Sequence, residues 1–225
     1  MRRRDLIRAG LAAATTVPAF GSRAAGDADA TAIRVALERG AHSAVSLLGR
    51  PDGFLGNPKV RIPLPHYLEE AAPMLKLAGQ QKRLDDLVVS MNRAAEHAVP
   101  EAQALLEQAV RSMSIDDARR IVTGGDDSAT RFFAEKTRQP LTERFLPIVT
   151  RETEKVDLAQ KFNEIAGKVS GLGLVKGSDT NVQQYVTAKA LDGLYLMIGE
   201  EERRIRQDPV GTGSAILKQV FGGLR

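Results

Sequence analysis

The sequence predicts an all-α protein: a single compact domain of about eight to ten helices around a long apolar central helix, with a proline-rich irregular loop at 49–65. Apolar residues recur at helical spacing through most of the 225 residues. Aromatic residues make up only 4% of the chain and tryptophan is absent, so small aliphatic side chains must form the core, which suits close helix packing. Cysteine is absent too, which excludes disulfides and thiolate metal sites.

The first half of the chain is expected to contain five helices. In each, apolar residues spaced three and four apart lie on one face. Asp29 can cap the first helix, and Ser114 with Asp117 three residues later forms the capping-box signal of the fifth. Gly124 and Gly125 then end that fifth helix. The predicted helices cover about 29–48, 65–78, 81–98, 100–113 and 114–123.

The second half is expected to contain five further helical segments. Pro147 should kink the second of them. The fourth is the longest and is capped by Asp179 or Asn181. Between Ala190 and Ile198 it is apolar on nearly every side, which makes it the candidate central helix. The segments include 132–133, 141–149, 158–169, 179–206 and 216–221.

The N-terminus is interpreted as a removable export leader of residues 1–25. Two arginines, Arg3 and Arg4, precede one further residue, two large apolar residues and another arginine, an order that resembles the twin-arginine export signal. The apolar stretch that follows is too short and too mild to anchor the chain in a membrane. We expect cleavage between about Gly21 and Ala28 and a periplasmic location. There are two alternatives. The chain is exported by the general secretory route, or it is a cytosolic protein with a basic N-terminus.

The basic character of the chain resides in this leader. The whole chain has a net charge of +4, and residues 1–25 hold five arginines and one aspartate. Residues 26–225, the expected single helical domain, are therefore neutral. A neutral surface lacks the general attraction for phosphate backbones that drives nucleic-acid binding. We expect neither nucleic acid nor an anionic membrane surface as partner, and no membrane span.

Five segments in fixed order carry a resemblance to a known family. They are GRPDGFLGNPKVRIPLP at 49–65, SMNRAAE at 90–96, TGGD at 123–126, FLPIV at 145–149 and KALDGL at 189–194. These segments are similar to those of a bacterial family filed as domain of unknown function 4197. The resemblance spans nearly all of the mature chain and implies an exported helical protein. It implies no activity, cofactor or catalytic residue.

The loop at 49–65 is the most unusual segment of the sequence. It contains four of the ten prolines, and long irregular loops in compact domains are often functional. Arg50, Lys59 and Arg61 outweigh Asp52, so the loop can hold a small anion or an acidic partner segment. Alternatively, the loop is a structural strap whose apolar residues pack on the helices while its charges face water.

Two other polar groups are candidate binding residues. Asn92 and Arg93 lie on the third predicted helix, where they either border a groove or form the edge of an apolar stripe. Lys189 and Asp192 lie three apart on the longest helix. If Asp192 is buried, it needs Lys189 or an arginine of the loop as partner. If it is unpaired in a cleft, it can act as an acid or base. A structural ion pair is the simpler interpretation.

Other motifs indicate local structure rather than chemistry. Residues 123–128 are interpreted as a helix stop followed by a helix cap at Asp126 or Asp127, and residues 200–204 as the solvated end of the longest helix. No pair among the three histidines, His42, His66 and His97, has a metal-ligand spacing, so neither a metal nor a cofactor is expected.

The leading hypothesis is a non-enzymatic, soluble periplasmic helical module that binds a partner protein, an envelope component or a small ligand. An enzyme that uses Asp192 with Arg50 or Arg61 beside the loop is the alternative. A third possibility is a carrier of a small apolar ligand between helices.

Overall fold

The computed structural model of the protein describes residues 21–155, 159, 160, 163 and 181–208. Within these ranges it describes side-chain environments from Ala30 onward, except those of Tyr67 and Ala71. Within these ranges there are seven α-helices and no β-strand, which confirms the all-α class. The helices are α1 (Gly21–Leu48), α2 (His66–Leu77), α3 (Gln81–Ala98), α4 (Ala102–Arg111), α5 (Ile115–Thr123), α6 (Ser128–Thr153) and α7 (Val182–Gln207).

The first five helices lie close to their expected ranges. A short 3₁₀ turn, Val99–Glu101, precedes α4. α1 begins at Gly21, eight residues before the cap expected at Asp29. Residues 1–20 and the last expected helix at 216–221 lie outside the described residues. The helix expected at 158–169 is described only at 159, 160 and 163, which are helical.

Two of the helix starts predicted from sequence are confirmed in detail. Ser114 Oγ accepts a hydrogen bond of 3.0 Å from the Asp117 amide, and Asp117 Oδ2 accepts one of 3.0 Å from the Ser114 amide, so a capping box opens α5. Asn181 Oδ1 accepts a hydrogen bond of 2.7 Å from the Gln184 amide and caps α7. Both caps satisfy amides that the first turn of a helix leaves without partners.

The two segments expected around 132–133 and 141–149 form one continuous helix, α6, with Pro140 and Pro147 inside it. Each proline removes one helical hydrogen bond. Buried residues nevertheless continue past both prolines at intervals of four, from Phe133 to Leu141, Phe145 and beyond. Packing of this stripe offsets the lost hydrogen bonds, so the prediction of two separate helices is wrong.

α7 packs against α6, α1 and α3. Its exposed residues recur at helical spacing, and they include Gln184, Asp192 and Leu196. Leu196 is 42% exposed although it lies in the most apolar stretch of the helix. α7 is therefore amphipathic, and the expectation of a central helix enclosed on every side is not confirmed.

One connected core joins the helices. It contains buried aliphatic residues and alanines of α1 to α7 together with Phe54, Val60 and Ile62 from the loop between α1 and α2. In the part of the chain that the structure describes, no helix is both long enough and apolar enough to cross a membrane.

Candidate functional site

The loop 49–65, called the strap below, leaves α1 through a tight series of turns. The Gly49 amide donates to the Val45 carbonyl at 2.8 Å, and the Gly53 amide donates to the Arg50 carbonyl at 2.9 Å. Asp52 has a φ of 64°, a left-handed conformation that Asp adopts more readily than most residues. A Cβ at Gly53 would lie 2.4 Å from the Leu48 carbonyl oxygen, so only glycine fits this turn.

The apolar residues of the strap pack into the core. Phe54, Val60 and Ile62 are 0%, 7% and 1% exposed. Phe54 lies directly on Gly193 of α7, where a Cβ would be only 2.8 Å from its ring. This packing agrees with the interpretation of the segment as a structural strap.

Two buried polar side chains of α3 hold the strap backbone. Asn92 Oδ1 accepts a hydrogen bond of 2.8 Å from the Ile62 amide, and Asn92 Nδ2 donates to the Ile62 carbonyl at 2.9 Å. Glu96 Oε1 accepts hydrogen bonds of 3.0 Å from the amides of both Phe54 and Leu55. Asn92 is 0% and Glu96 2% exposed, so these bonds satisfy backbone groups that water cannot reach.

Arg93 connects the same anchor to the strap surface. Its guanidinium lies 2.6 Å from Glu96 Oε2 and 2.8 Å from Asp52 Oδ1. Hydrogen bonds to Glu96 and then to Asp52 raise the pKa of Arg93 above its usual value. The structure thus brings the candidate residues Asn92, Arg93 and Asp52 together, and they bind the protein's own backbone and one another.

The positive charges of the strap are directed at neighbouring groups. Lys59 Nζ lies 2.6 Å from Glu200 Oε2 on α7. Hydrogen bonds to Lys59 and then to Arg203 lower the pKa of the Glu200 carboxyl. Arg61 Nη1 donates to the Leu55 carbonyl at 3.1 Å, and Arg50 is exposed. Of the three strap cations, Lys59 is thus paired with a carboxylate, whereas Arg61 meets a neutral carbonyl.

Asp192 does not have the partners that the sequence suggested. Its Oδ1 accepts hydrogen bonds of 3.0 Å from both Nη atoms of Arg138 on α6, and its side chain is 55% exposed. Arg138 also lies 4.9 Å from the centre of the Tyr195 ring, whereas Lys189 lies over Tyr185. Asp192 thus forms a structural ion pair, the simpler interpretation, but with Arg138 rather than with Lys189 or a strap arginine, because α6 and α7 bring together residues that are 54 positions apart.

Glu202 is a buried residue that the sequence reasoning missed. It is 7% exposed, not part of a solvated helix end. Its carboxylate accepts hydrogen bonds of 3.0 Å from the Ala129 amide and 2.9 Å from the Thr130 amide. Asp127, one of the two expected caps, makes no side-chain capping bond. A residue of α7 therefore caps α6. In the sequence, the i,i+4 spacing of Glu202 and Arg206 indicates that these two side chains can pair.

Arg206 joins Glu202 at the corner where α5, α6 and α7 meet. Its Nη2 donates to Glu202 Oε1 and to the Ile121 carbonyl, each at 2.8 Å, and to Ser128 Oγ at 2.7 Å. One guanidinium thus links the last turn of α5, the first turn of α6 and the capping carboxylate. The corner is held in a single geometry.

Two clefts lie on either side of that corner. The apolar cleft, between α1, α5, α6 and α7, includes Leu37, Phe133 and Ile198 and encloses about 30 Å³. The polar cleft, between α5 and α6, encloses about 220 Å³. For comparison, an apolar cavity of about 150 Å³ binds benzene. Of these two clefts, both half open to solvent, the polar one is the larger.

The end of α2 exposes apolar side chains. Met74 is 70% exposed and Leu77 is 91% exposed. On the same helix Leu68 and Ala72 are buried. We call Met74 and Leu77 the apolar end of α2.

The three histidines are not assembled with other ligands. His97 Nδ1 lies 3.7 Å from Glu152 Oε2, and His66 Nε2 lies 3.2 Å from Glu70 Oε1. Among the described residues, no three histidine or acidic side chains converge as a metal site.

Comparison with known proteins gives one match. The model of a family described as a protein of unknown function (DUF4197) matches residues 25–222. No curated protein and no solved structure matches the chain. The match covers most of the chain, including the strap, the anchor residues on α3 and both ends of α7.

Proposed function

The chain belongs to the DUF4197 family, and we propose that it is a non-enzymatic binding module of the bacterial periplasm that holds a partner protein at the apolar end of α2. The observation that carries the proposal is the exposure of Leu77, 91%, beside Met74, 70%. Burying a leucine or methionine side chain contributes about 1.5–3 kcal/mol. In the isolated chain Met74 and Leu77 are largely exposed, so most of this free energy becomes available only when a partner covers them.

The local structure keeps this surface in place. Leu68 and Ala72 attach one side of α2 to the core. At its C-terminal end Gly79 adopts a φ of 74°, and the Gln80 amide donates to the Leu75 carbonyl at 2.9 Å. Such a C-cap fixes the backbone from which Met74 and Leu77 project. A preorganised backbone loses less entropy when a partner binds, which favours a docking role.

The geometry gives less support to the two alternatives. An acid or base at Asp192 requires a carboxylate in a cleft, but this carboxylate is 55% exposed and is held by Arg138. Carriage of an apolar ligand requires an interior space, but the apolar cleft encloses only about 30 Å³. A partner protein is therefore the occupant that we favour.

The periplasmic part of the proposal depends on the leader. The arginine pair Arg3 and Arg4 and the mild apolar stretch after it support export by the twin-arginine route. Proteins on that route fold before they cross the membrane. We propose that the helical domain folds in the cytoplasm and meets its partner after export.

The proposal is tested by site-specific photo-crosslinking in cells that export the full chain. A photoreactive phenylalanine analogue replaces Leu77 in one strain and Leu196, an exposed leucine of α7, in a matched control. We expect a discrete crosslinked adduct from position 77 and none from position 196. No adduct at position 77, or the same adduct at both positions, contradicts the proposal.

A second variant separates docking from folding. Met74→Ser combined with Leu77→Ser should abolish the crosslink made from a neighbouring exposed position such as Lys76. Because both replaced side chains are largely exposed, the melting temperature should not change by more than about 2 °C. Retention of the adduct in this variant would assign the contact to another surface.

A further inference from the structure

We infer that the partner held at the apolar end of α2 is a second copy of this chain, with the two α2 helices antiparallel about a twofold axis. The second copy occupies the docking surface proposed above, so the inference rests on that proposed function and names its partner. Two features of α2 favour a second copy: its uncovered outer face and the separation of opposite charges along that face.

The outer face of α2 is left uncovered by the rest of the domain. Among the described helices, α2 packs mainly on α3. Leu68 and Ala72 point inward and join the core, whereas Met74 and Leu77 are 70% and 91% exposed. A helix of 12 residues is about 18 Å long, so this face offers one straight helix surface to a partner.

Charges of opposite sign lie at the two ends of this surface. Glu69 and Glu70, both exposed, lie near the start of α2. Lys76 lies in its last turn, and Lys82 and Arg83 lie in the first turn of α3, all three exposed. The start of α2 is therefore acidic and its end is basic, with the exposed Met74 side chain between them.

The two remaining acids of this region do not interrupt the basic end. Asp85 and Asp86 lie about one turn further along α3, and Asp85 accepts a hydrogen bond of 2.8 Å from Gln81. The three basic residues are two or three positions from the connection Ala78–Gln80, whereas all four acids are five or more positions from it. Acids and bases are thus segregated rather than mixed.

Most of these charges have no partner within the chain. In the part of the chain that the structure describes, no ion pair involves Glu69, Lys76, Lys82 or Arg83. Glu70 meets only His66, at 3.2 Å, and its side chain is 69% exposed. These side chains therefore remain available for ion pairs with another molecule.

A twofold axis matches this surface with itself. When two α2 helices lie antiparallel with the axis between Met74 and Leu77, Leu77 of each copy faces Met74 of the other. The acidic start of each helix then faces the basic end of its partner, the pairing that electrostatic complementarity favours. A parallel arrangement would bring like charges together. Self-complementarity of this kind is what a twofold interface requires.

The small size of the surface predicts a weak dimer. Stable protein–protein interfaces bury about 1,200–2,000 Å² in total, and one 12-residue helix from each copy lies at or below the lower limit. We therefore expect a dissociation constant on the order of 10–100 µM, the range of transient complexes.

A charge exchange between two variants tests the arrangement. One variant combines Glu69→Lys with Glu70→Lys, and the other combines Lys76→Glu with Lys82→Glu. Each alone places like charges at both ends of the interface, so its dimerisation should be at least about tenfold weaker than that of the wild type. An equimolar mixture of the two variants should restore association to within about threefold, because every end then faces the opposite charge.

Sedimentation equilibrium of the purified full chain at low ionic strength measures these constants. The replaced side chains are all exposed, so the variants should fold normally. Glu135→Lys combined with Glu143→Lys makes the same change in net charge on the exposed side of α6. This control should leave the dissociation constant of the dimer unchanged.

Two results in solution would overturn the inference. One is a wild-type chain that remains monomeric up to about 1 mM, well above the expected dissociation constant. The other is a mixture of the two variants that associates no better than either variant alone.

The photo-crosslink from position 77 separates this inference from the proposed function. An adduct with twice the mass of the chain supports the second copy. An adduct that contains a different protein overturns the second copy and leaves the docking role of α2 intact. The absence of any adduct contradicts the docking role itself.

Discussion

The carboxylate of Glu202, near the end of α7, accepts a hydrogen bond of 3.0 Å from the backbone amide of Ala129 in the first turn of α6. One helix thus caps another across 73 positions of sequence. Glu96 performs the same task on the strap, where it holds the amides of Phe54 and Leu55. In both cases an arginine also binds the carboxylate, Arg206 in the first and Arg93 in the second. Two buried acids therefore fix the geometry of the two irregular connections.

Glu202→Ala should destabilise the protein strongly. The change leaves Arg206 without its partner and the first amides of α6 without a cap, and breaking a buried pair in this way costs about 3 kcal/mol. Urea unfolding at neutral pH measures the loss. Glu143→Ala on the exposed side of α6 is the control and should change the free energy of unfolding by less than about 0.5 kcal/mol. Equal losses in both variants would mean that Glu202 does not cap α6.

Glu96→Gln and Asn92→Ala should open different parts of the strap. Replacing Glu96 weakens the bonds to the amides of Phe54 and Leu55, so their hydrogen exchange should accelerate. Replacing Asn92 should accelerate exchange at the Ile62 amide. Each variant serves as the control for the other in exchange measured by NMR. Uniform acceleration of all three amides in both variants would indicate global destabilisation rather than separate anchors.

Gly193→Ala should be destabilising although alanine normally favours a helix. The new Cβ would lie 2.8 Å from the Phe54 ring, which is fully buried and has no free space to enter. Overpacking of this kind costs about 1–3 kcal/mol. Gly40→Ala on α1 is the matched control, because its Cβ meets its nearest neighbour at 3.7 Å. We expect this control to be neutral or to stabilise by up to about 1 kcal/mol, and thermal unfolding of the two variants distinguishes the outcomes.

Asp117→Asn should cost stability at neutral pH and cost little in acid. Hydrogen bonds from the Ser114 hydroxyl and amide, and then from Arg120, lower the pKa of the Asp117 carboxyl below 3.8. Its contribution is therefore present above pH 3.8 and is lost as the pH falls through the lowered pKa. Loss of such a cap costs about 1 kcal/mol.

Urea unfolding of wild type and variant at pH 7 and at an acidic pH well below 3.8 measures this difference. Asp116→Asn, at a neighbouring aspartate that is 84% exposed, is the control and should show little difference at either pH. If the loss caused by Asp117→Asn is the same at both pH values, the capping box does not depend on the ionised carboxyl.

Arg3→Lys combined with Arg4→Lys should leave the precursor in the cytoplasm, because the twin-arginine route depends on the arginine pair in its leader. Cell fractionation followed by immunoblotting measures the distribution of precursor and mature chain. Arg2→Lys, one position outside the pair, should leave export unchanged. Normal export of the double variant would indicate the general secretory route.

The all-α class, the range of α3 and the cap at Ser114 follow from the sequence alone, whereas the sequence leaves Asp179 and Asn181 as alternative caps of α7. These features depend on groups within one or two helical turns. Helical periodicity indicates the helices, and the three-residue spacing of Ser114 and Asp117 indicates the cap. The prolines of α6 misled the prediction because local propensity is weaker than the packing of the Phe133–Phe145 face.

Tertiary structure alone decided which polar residues meet. Asn92 is a candidate binding residue from the sequence, but its partner Ile62 lies 30 positions away. The ion pair of Asp192 is with Arg138 on α6, and Glu202 is buried although the sequence predicts a solvated helix end. Each of these interactions joins two elements whose relative position is set by the burial of apolar surface over whole helices. A hydrogen bond across such a distance depends on that packing, since no spacing within one segment encodes it.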